Sequence, residues 1–552
     1  MLAFPLRGEG GTSKASDGRG DATQFRHFAL CVLHFALHRQ IIICNLHFIV
    51  KLHFLHCRTA CCVLQYAYWE GDNMGTKQLT PEKLRKQQLR KEKELRYWEK
   101  QKARPKGNMY FWYLVLIIAM IYAVDEIASQ IGSLMQTEIA NDFISSKSAV
   151  TILGLLQVVA IPFQVIGLLY RPLADRFGRK IFLIINTFGM SVAMFVIFLS
   201  QNIFMYFLGA CLIMFFIPHD MHVVYIMESA PSKSRAITYS VIKFFANMAV
   251  MLVPLLRNWL METAGQWRRV YFIPAVVGIV VSLVALLCAR ETDAFIESRI
   301  RYLKMTEEEL QAEKLRKTAQ DSQGSVVDAL KFGFSHKQLR WVFICFALAG
   351  VGVVGSLNYQ AILTHGYAQS IYGSSAAEFL ELVSVNQVNK AITLYPVGMA
   401  LSQVIMGFIS DKKGRKPAAI TVAANCVVSF VIFALGSRMN FLTPEIIGFF
   451  CGVFVGSYYS TNDVLIMMAS ESAPTNLRSS TTAAQTVVGF AGYAVGFITN
   501  MVLAMIFGDS IIGTVALCLL VPSFVVTLVA LVKNTHETKG VDLDKVTGTE
   551  WD

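Results

Sequence analysis

Apolar runs of about twenty residues recur along this chain, each long enough as a helix to cross a hydrocarbon core roughly 30 Å thick. Twelve can be read, near 110–135, 149–170, 181–200, 203–227, 237–257, 270–289, 340–362, 391–410, 418–437, 444–469, 481–506 and 510–532. A lipid-facing segment must satisfy its own backbone hydrogen bonds, so α-helices are expected throughout. An ordinary soluble domain is excluded. Hydrophobic residues make up 54% of the chain and charged residues 16%, against about 25% charged in soluble proteins.

Charge sets the expected orientation. Residues 74–108 carry twelve Lys/Arg against four Glu, and the turns at Arg176–Lys180 and Lys412–Lys416 and the 290–340 segment are also basic. If spans alternate, all of these share one side. The opposite connections hold mainly Lys147, Arg257, Arg268, Arg269 and Arg438. The bias of Lys and Arg toward the inner face puts both termini in the cytoplasm of a multi-pass protein of the cell (plasma or inner) membrane. A net charge of +12 then reads as a surface meeting anionic headgroups, with no nucleic-acid partner.

A motif pair occurs twice. The first copy is Asp175-Arg176-Phe177-Gly178-Arg179-Lys180, followed by Asp220, Glu228-Ser229-Ala230-Pro231 and Arg235. The second is Asp411-Lys412-Lys413-Gly414-Arg415-Lys416, followed by Asp463, Glu471-Ser472-Ala473-Pro474 and Arg478. Matching elements in two apolar halves mark an internal repeat, which in a membrane protein points to a transporter of two bundles. The expected layout is a basic cytoplasmic arm over 74–108, a six-helix bundle over 109–289, a cytoplasmic linker over 290–338, a second bundle over 339–534 and a tail over 535–552. Residues 1–73 look foreign to the rest, holding six of the eleven His and five of the eleven Cys. His53, His56, Cys57, Cys61 and Cys62 lack a recognised paired-ligand spacing, and the expectation is that translation begins at Met74. The arm, from Thr80-Pro81 to about Ala103, reads as a helix lying on the inner membrane surface or simply solvated.

These turns resemble the signature loop of the major facilitator superfamily, and the sequence is similar to its sugar-porter and metabolite–proton symporter branches. Glu228 through Arg235 resembles the family's Glu-x-x-Pro-x-x-x-Arg element. Glu537-Thr538-Lys539-Gly540 resembles the Pro-Glu-Thr-Lys-Gly element with His536 in place of Pro, and Arg290-Glu291-Thr292 is a weaker echo. The resemblance covers about 109–545 and implies twelve transmembrane helices in two pseudo-symmetric six-helix bundles around a central cavity. It implies gating roles for Asp175, Arg176, Gly178, Arg179, Lys180, Glu228 and Arg235 in one half. Asp411, Gly414, Arg415, Lys416, Glu471 and Arg478 would take the same roles in the other. A carboxylate at a helix end can pair with Arg and accept from neighbouring helix amides, so these clusters are expected to contribute to a breakable gate, or else to fix loop conformation alone. The chain departs from the pattern at Arg171, where the loop usually has Gly; Gly407 keeps it.

Charges inside the bilayer are costly and normally face a cavity or a partner. Within the apolar interiors of the expected spans they are confined to Asp125 and Glu126, Asp220 (flanked by His219 and His222), Lys243 and Asp463. The resemblance implies that spans 1, 4, 7 and 10 line the cavity, and most of these charges fall there. It also implies that Asp125, or its neighbour Glu126, accepts the proton. The family's Arg partner is missing, with Leu208 standing about there, and His219, Asp220 and His222 are candidates to relay protons in its place. The same three would serve equally as a polar knot between helices. Asp463 is the repeat mate of Asp220. Neutral candidates for the substrate are Asn358, Tyr359 and Gln360 in span 7, Tyr459, Thr461 and Asn462 in span 10, and the weaker Tyr122 and Gln485. Lys243 either balances an acidic neighbour, meets an anionic substrate or snorkels to the headgroups.

The expected protein is thus a monomeric secondary transporter, importing a small polar organic solute such as a sugar or organic acid together with protons. An exporter of drugs or metabolites and a non-transporting sensor are the alternatives. No nucleophile–base constellation or metal-ligand pattern stands out, so neither an enzyme nor a cofactor nor a bound metal is expected.

Overall fold

A computed structural model describes residues 81–103, 109–170, 178–217, 225, 228–229, 235–306, 308–309, 311–312, 326–474, 477–541 and 546. Asp175, Arg176, His219, Asp220 and His222, with the whole of 1–73, lie outside the described residues. Gln88–Asp552 forms one compact unit, and its described part is helical.

The first half runs through α1 (Pro81–Ala103), α2 (Tyr110–Gln130), α3 (Gln136–Phe143), α4 (Ala149–Tyr170), α5 (Arg179–Phe198), α6 (Ile203–Phe216), α7 (Arg235–Ala249), α8 (Leu252–Leu260) and α9 (Arg268–Cys288). Then come α10 (Asp293–Lys304) and α11 (Val326–Ser335). The second half contains α12 (Lys337–Val351), α13 (Val353–Leu357), α14 (Tyr359–Tyr372), α15 (Ala377–Val383), α16 (Asn389–Thr393), α17 (Tyr395–Lys413), α18 (Arg415–Met439), α19 (Pro444–Glu471), α20 (Arg478–Phe507) and α21 (Ile512–Asn534). Among the described residues, eight helices are long and apolar enough to cross a membrane, and Ile203–Phe216 is a shorter apolar one.

Two spans are longer than the apolar runs expected at 340–362 and 391–410. The first runs from Lys337 to Tyr372 with breaks at Gly352 and Asn358, and the second from Ala377 to Lys413 through a π-turn at Ser384–Val388. Their outer thirds are polar in sequence because they bury polar groups against the other half. A hydropathy reading therefore stops short of the true helix ends. At the second break of the first span Asn358 donates its side-chain amide to the carbonyl of Val354 at 3.0 Å, a local bond that competes with helix continuation.

Close helix approach in the second half follows from a glycine ladder. A methyl on Gly448, Gly452 or Gly456 of α19 would collide with the backbone of Ala391, Tyr395 or Met399, so α19 rests on the α16–α17 backbone as small-residue seams allow. The outward faces of the last span of each half are apolar and exposed: Val280, Leu283, Val284 and Leu287 on α9, and Val525, Val526, Val529 and Val532 on α21. Such continuous exposed apolar faces suit a lipid solvent. The basic helix α1 docks on α10. Glu94 pairs with Arg299 at 2.7 Å, Glu99 with Lys304 at 2.8 Å and Lys102 with Glu297 at 3.0 Å. Trp98 meets Phe295 edge-on.

Candidate functional site

The repeated motifs build two matching clusters at one end of the bundle, here called the motif end. Gly178 and Gly414 precede α5 and α18, each with φ of 116°. Immediately after them a carboxylate caps the helix. Glu291 Oε1 accepts from the backbone amides of Arg179 (3.0 Å) and Lys180 (3.1 Å). In the second half Glu537 accepts from those of Arg415 (2.7 Å) and Lys416 (3.1 Å). These amides are orphan donors at a positive dipole end, where a carboxylate is at its most useful. Burial pushes the Glu291 carboxyl above its usual range, and the amides of Thr292, Lys180 and Arg179 pull it back.

The rest of each cluster follows the same plan. Arg179 Nε meets Glu228 at 3.2 Å and Arg415 Nε meets Glu471 at 3.0 Å. Thr292 and Thr538 donate to those same glutamates at 2.5 and 2.6 Å. Lys180 and Lys416 reach the terminal carbonyls of the last span of their own half, Leu286 at 2.7 Å and Thr535 at 2.7 Å. Asp411 stands apart. Its side chain is 84% exposed and only 3.5 Å from Arg415. Arg478 donates to the Ser470 carbonyl at 3.1 Å, and Arg235 is the first residue of α7. A methyl on Gly407 would meet nothing within 4 Å.

The geometry carries a prediction. A Cβ on Gly178 or Gly414 would overlap the carboxylate of Glu291 or Glu537, in a backbone region that itself costs an L-residue about 1–3 kcal/mol. Gly414→Ala should therefore lower the Tm of the purified protein by several degrees, whereas Gly407→Ala should leave it in place. Equal Tm values for the two variants would refute the capping account.

The opposite end, the far end, is closed by contacts between the halves. Arg257 of α8 and Glu138 of α3 form an ion pair with side chains 0% and 1% exposed. The guanidinium also donates to Asn389 at 2.8 Å and to the Leu134 carbonyl at 2.7 Å. Glu138 accepts from Gln360 at 2.9 Å and from the Ser384 hydroxyl. Gln360 in turn accepts from the amide and hydroxyl of Thr137 at 2.8 and 2.7 Å, and Gln136 donates to Asn358 at 3.0 Å. Asp509, ahead of α21, accepts from the backbone amide of Val150 at 2.7 Å and the Thr151 hydroxyl at 2.6 Å. Below this layer Tyr359 stacks on Tyr395 at 4.8 Å.

Midway along the helices lie the remaining polar groups. Thr187 donates to Asp125 at 3.0 Å. Across the halves, Glu126 of α2 acts electrostatically on Tyr459 of α19, and Lys243 of α7 on Asp463. Asn247 donates to Gln403 at 2.7 Å. Gln485 is fully buried, and neither end of its amide has a partner among the described residues. A buried amide in that state calls for water or a ligand.

Residues 111–497 match the sequence pattern of the Major Facilitator Superfamily. The chain belongs to that superfamily. It is therefore a secondary transporter rather than an enzyme, and the superfamily architecture implies twelve spanning helices. Three solved structures show the shared fold. The D-xylose–proton symporter aligns with TM-score 0.53 and 17% identity over 78% of this chain and 99% of its own. The proton:xylose symporter XylE bound to 6-bromo-6-deoxy-D-glucose aligns at 0.51 and 16% over 81% and 100%. A bacterial homologue of the human lysosomal transporter Spinster, inward-facing and occupied, aligns at 0.50 and 16% over 77% and 96%. No curated protein sequence matches the chain.

Within this superfamily member the sequence-derived candidates divide. Asn358, Tyr359 and Gln360 belong to the sealed far end. Thr461 donates to its own helix at Ser457, 2.8 Å away, and Tyr122 packs in the apolar cluster with Ile121 and Tyr225. Tyr459 is 37% exposed, while Asn462 is buried with its Oδ1 unpartnered among the described residues. Sequence reasoning missed Glu138 and Arg257 as partners. It placed Arg257 in a connecting loop, and nothing in spacing links it to a glutamate ahead of the second span. The caps Glu291 and Glu537 were visible as motif letters, but their role becomes apparent only where they meet the Gly-Arg-Lys turns.

Proposed function

We propose that this transporter carries a small polar organic solute together with protons by alternating access. The motif end would face the cytoplasm and the far end the outside of the cell membrane. The observation that carries the reading is an asymmetry between the ends. At the far end a buried polar layer joins the two halves, while the ion pairs that the described residues form in the motif clusters each close within one half. That is the arrangement expected of a carrier open toward the motif end, since rocking bundles need one sealed face at a time. Proton coupling is supported by Asp125, Glu126 and Asp463, carboxylates held within spanning helices and partly exposed, where a titratable group is functional by default. Tyr459, Asn462 and Gln485 are the groups best placed to meet solute hydroxyls or a carboxylate. Asp411, exposed in this state and paired only at 3.5 Å with Arg415, would gain a further partner from the other half when the motif end closes.

Uptake into proteoliposomes under an imposed proton gradient tests the proposal. Accumulation of one member of a panel of sugars and organic acids, abolished by a protonophore, is the expected result. Solute binding with no flux would replace the carrier reading by a sensor, and proton-driven efflux would reverse its direction. Asp411→Asn should slow turnover strongly while substrate affinity stays within a few-fold. Unchanged turnover would leave that carboxylate with a loop-fixing role alone.

A further inference from the structure

One cavity lies away from the space between the halves. It has a volume of about 280 Å³ and sits among α14, α18 and α21 of the second half. Its apolar side is formed by Ile362, Ala434 and Leu517, and its polar side by His365, Gln369, Arg438, Ser510 and Thr514. Arg438 is in the last turn of α18 and Thr514 in the first turns of α21, so the polar side is level with the far-end membrane surface. Arg438 donates to the Thr514 hydroxyl at 3.0 Å. Among the described residues no carboxylate lines the cavity. His365 is 8% exposed, and its Nδ1 is buried without a partner among the described residues.

A cationic fork, an imidazole nitrogen lacking a partner and hydroxyl and amide groups with no acidic lining make a receptor for an anion. Arg in particular matches the oxygen spacing of phosphate. The apolar wall behind it makes the cavity amphiphilic, and its position on two outer spans brings it next to lipid. At about 280 Å³ it is at the small end of ligand sites, large enough for a headgroup rather than an extended molecule.

We propose that this cavity binds a phosphate group at the far-end membrane surface, with Arg438 and Thr514 holding the phosphate and His365 and Gln369 closing around it. The group is carried either by an anionic phospholipid of that leaflet or by free phosphate. The site belongs to the second half alone, so it does not depend on which solute is transported or on what drives transport.

The test is the Tm of the full chain in a neutral maltoside detergent, titrated separately with phosphatidylglycerol and with inorganic phosphate. Gly513 lines the cavity, and a Cβ there would make only an ordinary contact with Ile362 at 3.4 Å, so Gly513→Val fills the space without crowding the backbone. Saturable stabilisation is expected from the lipid if a headgroup is the ligand, or from inorganic phosphate if the free ion is. Either should weaken about tenfold or more in apparent affinity in Arg438→Gln, be lost in Gly513→Val and survive in Arg438→Lys, which keeps the charge. Should Gly513→Val fail to fold, the Arg438→Gln and Arg438→Lys pair decides alone. No stabilisation by either additive, or stabilisation undiminished in Arg438→Gln, overturns the proposal.

Discussion

Arg257→Leu should unseal the far end. The substitution leaves the Glu138 carboxylate buried beside Ser384 and Gln360 with no counter-charge. Breaking one partner of a buried pair costs about 3–5 kcal/mol. The cost falls on the sealed state, because opening the far end re-exposes Glu138 to water. A bias of about 3 kcal/mol shifts a two-state equilibrium more than a hundredfold. Spin labels at the exposed positions Glu262 and Glu378, one in each half at this end, should report a longer distance in the variant. Glu138→Gln should act in the same direction but less, since the amide still bonds Gln360 while Arg257 loses its charge partner. The double variant Arg257→Leu with Glu138→Leu removes both charges, and replacing a buried pair by apolar groups is often neutral. It should return the distance toward that of the parent chain. An unchanged distance in Arg257→Leu would show that the Gln136–Asn358 and Asp509–Val150 contacts close this end without the ion pair.

The sequence made the helical class and the twofold repeat legible because both are written in local composition. Lipid demands apolar runs, and the same glutamate cap recurs at the Gly-Arg-Lys helix start of both halves. The pairing of Glu291 with the turn at Gly178, and of Glu537 with that at Gly414, was legible only in part: each motif could be recognised, but the contact joins residues 112 and 122 positions apart. The far-end layer was not legible at all. Glu138, Arg257 and the Ser384–Asn389 pair come from three separate stretches with no shared spacing, and their polarity made the outer helix turns look like loops. Polar residues of helices that meet across a closing interface carry the chemistry of solvent-exposed ends and the burial of a core. Sequence reports the first and hides the second. Asn358 and Gln360 illustrate this, since they read as solute ligands and lie in the seal. Their place in the seal does not separate them from transport, because opening this end would expose them.

Asp125→Asn should abolish accumulation of solute against a gradient while leaving exchange of labelled for unlabelled solute in place. A coupling carboxylate has to take up its proton on one side and release it on the other, so the full cycle visits both charge states. Asn imitates the protonated form and releases nothing. Exchange needs only the loaded carrier to reorient, so it survives. The Thr187 hydroxyl donates to the Asp125 carboxylate at 3.0 Å and holds it in place. Glu126→Gln is the companion variant: Glu126 acts on Tyr459 across the halves, and loss of accumulation there with Asp125→Asn intact would transfer the role to it. If both single variants still concentrate solute in a pH-dependent way, the first span does not couple protons. Asp463, facing Lys243 from the other half, is then the described carboxylate that remains for the task. Asp463→Asn should in that case yield the exchange-only phenotype.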